Sequence, residues 1–274
     1  EWQADPRQAT PAAPPSDTRK TVRQGQGGLV LEHRLDAVDS VQLTLYRGER
    51  ETRQFQSIPV AVQAPPPHPG GVIDLTRRYQ GVDARWVHRG RLLGTPLVLT
   101  GGIATDEVRE DRRGFENFAG AVLGVLGVQG ALRRDEANRA RNVDGYAQAD
   151  WSVSERWSAS AGLRHSRVEL RSQDRFIVPG NGDDSGSVRY AATTPVLGLV
   201  FHAGEHTNLY ASLGRGFETP TLNEIAYRPG GAGGLNFGLK EATRRQWELG
   251  VKHRLAEHWR VNAAWFDART ADEI

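Results

Sequence analysis

The stretch Thr243-Arg-Arg-Gln-Trp247-Glu-Leu249-Gly-Val251-Lys-His-Arg-Leu255 alternates from end to end. Trp247, Leu249, Val251 and Leu255 share one face, and Arg244, Gln246, Glu248, Lys252 and Arg254 share the other. A period of two belongs to a β-strand, because successive side chains point to opposite faces; helical spacing fits these residues badly. Soluble domains usually use strands of about 5–6 residues, so a run this long is unusual for one.

The same pattern recurs along the chain. Val41, Leu43 and Leu45 alternate with Ser40, Gln42 and Thr44, and Trp157, Ala159, Ala161 and Leu163 alternate with Ser158, Ser160, Gly162 and Arg164. The alternation predicts ten strands, at 28–35, 40–47, 82–90, 95–106, 142–153, 157–170, 187–201, 207–217, 241–255 and 259–270. Residues 72–79 also read as strand, as an extension or hairpin beyond the third one. The intervening connections are short and long in strict turn: 36–39, 48–81, 91–94, 107–141, 154–156, 171–186, 202–206, 218–240 and 256–258. A soluble sandwich has no reason to gather every long loop at one end, whereas an outer-membrane barrel does. The fold class expected is therefore all-β, an antiparallel transmembrane β-barrel. Alternation should put Leu197, Leu199, Leu249, Val251, Val261 and Ala263 toward lipid, with Arg164, Glu248 and Lys252 toward the lumen.

Aromatic residues gather beside the short connections. Trp151 and Trp157 bracket 154–156, Phe201 and Tyr210 flank 202–206, and Trp259 follows 256–258. This is the expected place for an interfacial girdle, where ring bodies meet lipid and polar edges meet water.

Composition agrees with that class. The chain has 274 residues, with 35 Lys+Arg against 33 Asp+Glu and a formal charge of +2. So balanced a charge gives no footprint for nucleic acid. No run of about 20 apolar residues is present, which excludes a bundle of membrane helices. Cysteine is absent, so disulfides, thiolate metal sites and a Cys nucleophile are excluded. Methionine is absent too, the chain opens on Glu1, and no signal peptide is visible, so the sequence reads as an internal piece of something longer. Residues 1–27, rich in Pro, Gln and Gly, carry no periodicity and are expected to be loop or disordered. Residues 28–274 then form the barrel part. The 59–71 segment, with Pro65-Pro66-Pro67, should be extended.

One segment carries a resemblance. Thr207-Asn-Leu-Tyr-Ala-Ser-Leu-Gly-Arg215-Gly216-Phe217-Glu-Thr-Pro220-Thr-Leu222 is followed by Asn223-Glu224, a Gly-rich loop, Leu239-Lys240-Glu241-Ala242-Thr243 and Trp247-Glu-Leu-Gly-Val-Lys252. Together with Asn142–Trp151, Leu163–Ser166 and Phe266-Asp267, this resembles the barrel of TonB-dependent outer-membrane receptors. Lys240-Glu241 stands where that family often has Pro-Glu. The likeness covers 142–274 well and 28–106 in pattern only.

The resemblance implies a barrel of about 22 strands closed by an N-terminal plug, of which ten strands lie here. It implies location in the outer membrane of a Gram-negative cell, contact with outer-membrane lipid, and a TonB-type energising protein that acts through an N-terminal part outside this chain. It also implies energised uptake of a scarce small-molecule ligand, such as an iron–siderophore or other metal chelate. A passive porin or a structural outer-membrane barrel is the alternative, and a soluble β-rich lectin or enzyme a more distant one.

Candidate ligand contacts fall on the long loops 107–141, 171–186 and 218–240. There Arg112, Arg113, Arg133, Arg134, Arg228 and Lys240 offer positive charge to an anionic chelate. Arg215, Gly216, Phe217 and Pro220 read as structural, with Gly216 allowing a bend and Pro220 ending the ladder. Gly180–Ser187 lacks the spacing of a calcium loop. The eight histidines form no H-E-x-x-H pair, although His202 and His206 flank one turn. The apolar, Gly-rich 119–131 run is too short to span a bilayer as a helix and should fold over the barrel mouth. No nucleophile elbow, phosphate loop or distinctive carboxylate pair occurs, so neither catalysis nor a resident cofactor or metal is expected.

Overall fold

The structure, a computed structural model, describes residues 13–120, 124–226 and 235–273. In chain order the strands are β1 (Arg19–Arg34), β2 (Asp39–Phe55), β3 (Val72–Leu92), β4 (Thr95–Phe115), β5 (Phe118–Ala119), β6 (Val125–Leu126), β7 (Leu132–Trp151), β8 (Trp157–Asp174), β9 (Gly186–Gly204), β10 (Thr207–Glu218), β11 (Ala242–Ala256) and β12 (Trp259–Ala271). Ten of them form one antiparallel meander in sequence order, while β5 and β6 make a small separate hairpin. Within this chain β1 and β12 each pair on one side only, so the sheet is open.

The two faces differ sharply. Directly paired residues share a face, and the register aligns Leu99 with Ala149, Ala149 with Ala161, Ala161 with Leu197, and Leu197 with Leu213. It continues through Ala211, Leu249 and Trp265. Leu199, Val251, Val261 and Ala263 lie on this same apolar face, and Arg164, Glu248 and Lys252 lie on the other, as alternation requires.

The polar face is the concave one. Tyr46 of β2 bonds Asp106 of β4 across β3, and Tyr146 of β7 bonds Asp83 of β3 across β4 at 3.2 Å. Side chains reach over an intervening strand only where the sheet curves toward them. The apolar face is therefore the outer wall. On β7 it runs outward from Trp151 to Val143, eight residue steps. At ~3.4 Å per residue and ~40° tilt this covers roughly 21 Å along the barrel axis, close to the apolar band of an outer-membrane barrel.

The short-connection ends of the strands fall within a few residues of expectation, as do the far ends of β9 to β12, but the long-connection ends of β1–β4 and β7 extend eight to ten residues further and that of β8 four. β1 begins at Arg19, so residues 19–27 are strand rather than loop. Residues 72–79 are continuous with β3, and three of the long connections contract, to 56–71, 116–131 and 175–185, while the fourth keeps its length at 219–241. Above the apolar band both faces are wet and alternation vanishes. In β2 the run Arg47-Gly-Glu-Arg-Glu-Thr-Arg-Gln54 carries no apolar side chain, yet it pairs fully with β1 and β3. Backbone ladder bonds, which leave no trace in side-chain pattern, hold these extensions.

The girdle also needs one correction. Trp151, Trp157 and Trp259 lie on the outer face, and Trp157 packs on Phe201 with ring centroids 4.7 Å apart. Tyr210 lies on the inner face instead, bonded to Glu248.

Candidate functional site

Above the band, the concave face and three of the long connections border a cavity of about 820 Å³ at the barrel mouth. Its wall comes from the upper ends of β1–β4, β7 and β8, and its lid from segment 56–71, with Phe176, Asn181 and Asp184 of 175–185 and Asn223 of 219–241 at its border; segment 116–131 fastens the lid from outside the lining. Seven cationic side chains border it: Lys20, Arg50, Arg77, Arg112, Arg113, Arg133 and Arg134. Four acidic ones do so too: Glu110, Glu136, Asp174 and Asp184. In a concave site with partly dry walls, such an excess of positive charge focuses the field on an entering anion.

The floor is a fixed polar network. Glu110, 2% exposed, accepts from Arg77 Nε at 3.0 Å and from Asn138 Nδ2 at 3.4 Å. Asn138 also donates to Glu136 at 3.2 Å, and Glu136 is paired with Arg134. The two buried carboxylates are thus each matched by a half-buried guanidinium, which is the condition for keeping them out of water.

The lid is fastened by a reciprocal amide pair. Gln63 and Asn117 are 0% and 1% exposed. Gln63 Nε2 donates to Asn117 Oδ1 at 2.6 Å, and the Asn117 backbone N–H donates to Gln63 Oε1 at 3.3 Å. Asn117 Nδ2 donates further to the carbonyls of Gln56 at 2.7 Å and Ile58 at 3.1 Å. Arg133 adds bonds to Glu116 at 3.1 Å and to the Pro65 carbonyl at 2.6 Å. Gly70, at φ +82°, turns so tightly beneath the lid that a Cβ there would lie 2.1 Å from the Phe115 carbonyl oxygen. His68 Nδ1 accepts from the Gly70 N–H at 3.0 Å. Burial, helped by the nearby Arg133 charge, holds the His68 pKa below its usual value.

The structure sorts the arginines expected on loops. Arg112 and Arg113 belong to β4, and Arg133 and Arg134 to β7, so all four stand on strand extensions rather than on a loop. Arg112 lies on the inner face. Arg113 pairs in register with Asp74 and Asp135 on the outer face, and it borders the cavity only at its rim. Arg133 is spent on the lid and Arg134 on Glu136. Arg228 lies outside the described residues. Lys240 is on the 219–241 connection, away from this cavity.

That connection packs on a second small core of Leu170, Tyr190, Ile225 and Leu235, with the Tyr190 hydroxyl donating to the Leu239 carbonyl at 2.9 Å. Arg215, Gly216 and Phe217 end β10 and border a separate lumen recess with Asp144 and Arg164; Pro220 is fully buried. After it, Thr221 and Glu224 cap each other, with Thr221 N–H to Glu224 Oε2 at 2.7 Å and Glu224 N–H to Thr221 Oγ1 at 3.3 Å. Thr-x-x-Glu is a capping-box signature, legible in the sequence but not singled out there. The Gln63–Asn117 latch had no such signal, because its partners lie 54 positions apart.

The 175–185 connection, which borders the cavity through Phe176, Asn181 and Asp184, is held by its own bonds. In 175–185, Asp174 accepts from the backbone N–H of Phe176 and Asp184, and Asp183 from that of Ser185. Bonds from Ser185, side chain and backbone, hold the Asp183 carboxyl below its usual pKa. His202 has both ring nitrogens engaged, by Ser158 at 3.0 Å and Asn208 at 2.7 Å. Among the described residues no cluster of His, Asp or Glu is arranged to hold a metal ion.

A curved antiparallel meander with an apolar outer wall, a polar concave face and a charged mouth defines a transmembrane β-barrel segment. A family profile described as TonB dependent receptor-like, beta-barrel, matches residues 2–274, and the chain belongs to that family. Solved structures agree in fold. The closed form of the ferric-catecholate import receptor Fiu from Escherichia coli K12 superposes with a TM-score of 0.70 at 10% identity, over 92% of this chain and 41% of that one. The siderophore receptor PiuA from Acinetobacter baumannii gives 0.70 at 12%, over 92% and 40%. The copper transporter OprC gives 0.71 at 15%, over 92% and 39%. The chain thus spans about two-fifths of the length of these neighbours.

Proposed function

We propose that this chain forms wall and mouth of an outer-membrane importer that captures an anionic metal chelate in the cavity bordered by segments 56–71 and 175–185. The observation that carries the reading is the cavity itself, lumen-facing and bordered by seven cationic against four acidic side chains. Arginine forks suit carboxylate, catecholate and phosphate oxygens, which they bind in pairs of parallel hydrogen bonds. Neighbours of the same fold support the class of cargo, since they include an import receptor for ferric catecholates, a siderophore receptor and a copper transporter. Capture at the mouth needs no energy input. Passage through a plugged lumen does, and the outer membrane has no nucleotide supply, so release inward falls to a TonB-type partner.

Titration of tryptophan fluorescence with a trianionic ferric tris-catecholate and with a neutral ferric hydroxamate tests the capture step. The anionic chelate should bind tighter, and Arg50→Ala with Arg112→Ala should remove that preference. Equal binding of both chelates by the parent protein would refute it. Uptake by cells with and without the energising partner tests the second step. Undiminished uptake without the partner would point to a passive pore.

A further inference from the structure

The mouth cavity carries an apolar surface that its cations do not explain. On the lumen face of β3 the order down toward the band is Ile73, Leu75, Arg77. Register sets Leu75 beside Arg112 of β4, and Arg77 beside Arg50 of β2. All five side chains border the cavity. In a wet lumen, isoleucine and leucine gain nothing until something apolar covers them, and a contiguous apolar patch in a binding cavity marks a contact surface.

Further apolar side chains meet these two from the connections: Ile58, Pro65 and Pro67 of the lid, and Phe176 of 175–185. Residues Pro65 to His68 form a turn, closed by the His68 N–H donating to the Pro65 carbonyl at 3.0 Å. The proline run therefore bends where its composition predicts an extended stretch. Pro66 abuts the other connection, since a Cβ on Gly180, at φ +85°, would lie 2.9 Å from Pro66 Cγ. Asp174 Oδ1 accepts from the Phe176 N–H at 2.8 Å, which fixes the backbone that carries the ring. The prolines have no rotamer freedom to lose when a ligand packs against them.

The cavity thus joins two chemistries, a cationic wall at Arg50, Arg77 and Arg112 and an apolar slot between Leu75, Ile73 and the connections. Arg77 is engaged by Glu110, which leaves Arg50 and Arg112 to face a ligand. At about 820 Å³ the space suits a ligand large enough to fill both parts. A compact, evenly charged chelate would leave the apolar slot against water.

We propose that the cavity selects amphiphilic chelates, with the anionic metal centre on Arg50 and Arg112 and an aryl or alkyl arm in the slot of Ile58, Pro65, Pro67, Ile73, Leu75 and Phe176. This rests on the capture reading above and adds to it the feature by which chelates of equal charge are told apart. Charge draws the ligand to the mouth, and burial of the arm decides among ligands.

The test uses the protein in its full natural length, held in amphipol, and two probes of equal charge titrated by tryptophan fluorescence. One is a trianionic hexadentate ferric tris-catecholate; the other is the same chelate bearing a hexanoyl arm. The acylated probe should bind at least about 10-fold tighter. Phe176→Ala and, separately, Leu75→Thr should each remove most of that gain, while affinity for the bare probe stays within about twofold. Arg50→Ala with Arg112→Ala should do the converse, weakening both probes alike and leaving the acyl gain. Heat-modifiable migration on gels checks the fold of each variant. Phe176→Ala leaves every wall strand untouched, so it decides the matter if Leu75→Thr does not fold. Equal binding of the two probes by the parent protein would overturn the proposal. So would an acyl gain that survives in the folded slot variants, because the arm would then lie in the amphipol or on the outer wall. An acyl gain lost in the slot variants, but with no preference for the bare trianionic probe over a neutral hydroxamate, would refute the capture reading alone.

Discussion

Replacing Asn117 by alanine should release the lid while leaving the barrel intact. The side chain is 1% exposed and makes three hydrogen bonds: from Gln63 Nε2, and to the carbonyls of Gln56 and Ile58. Each bond is worth about 1 kcal/mol net, and a buried carbonyl left without a donor costs about 1–3 kcal/mol. Gln63 Nε2 keeps its 2.9 Å bond to the Ile58 carbonyl, so chiefly the Gln56 carbonyl is stranded. The loss is then about 3 kcal/mol, local to segments 56–71 and 116–131. At about 1.4 kcal/mol per factor of ten, the population of open lid should rise roughly 100-fold. Hydrogen exchange resolved by mass spectrometry should report this as lost protection over 58–66, with protection in β2 and β3 and the global melting temperature little changed. Two results would refute the reasoning. A change in lid protection of less than about threefold would mean that the latch does not hold the lid, and loss of the whole barrel would mean that lid and wall are one cooperative unit.

Three further outcomes are expected. Leu197→Arg, on the outer face inside the band, should cost about 2–4 kcal/mol of folding into lipid vesicles, measured by urea titration, whereas Thr194→Arg on the lumen face should cost much less. Glu224→Ala removes the acceptor of the Thr221 N–H and should destabilise the packed 219–241 connection by about 1 kcal/mol, read from exchange of that amide. Because the folded His68 pKa is depressed, the unfolded segment takes up a proton that the folded one refuses as pH falls below about 6.5. Lid stability is therefore full above that pH and declines below it, until the folded pKa is reached. After correction for intrinsic rates, exchange at the Gly70 amide should accelerate over that window, and His68→Asn should flatten the response.

Within the membrane band the strands were legible because lipid on one side and a wet lumen on the other force a two-residue period. Leu249 and Glu248 cannot exchange faces without driving a carboxylate into hydrocarbon. The short connections were legible for the same reason, since the period stops where the band stops. Above it, Arg19–Gly27, Arg47–Phe55 and Leu132–Arg141 are strand in defiance of pattern, because ladder bonds between backbones need no particular side chain. Of the mouth, the sequence located the cations Arg112, Arg133 and Arg134 but not their employment.

By itself, then, the sequence determined the class of fold, the order of the strands and which residues face outward, since each follows from local alternation and from connection length. Only the tertiary structure decided what the charged residues do. It spent Arg133 on the lid, turned Arg113 to the outer rim, set Arg112 and Arg50 on the cavity wall, and brought Gln63 to Asn117. These outcomes depend on register between strands and on pairings across tens of residues, and register is set by the whole sheet rather than by any stretch of the chain.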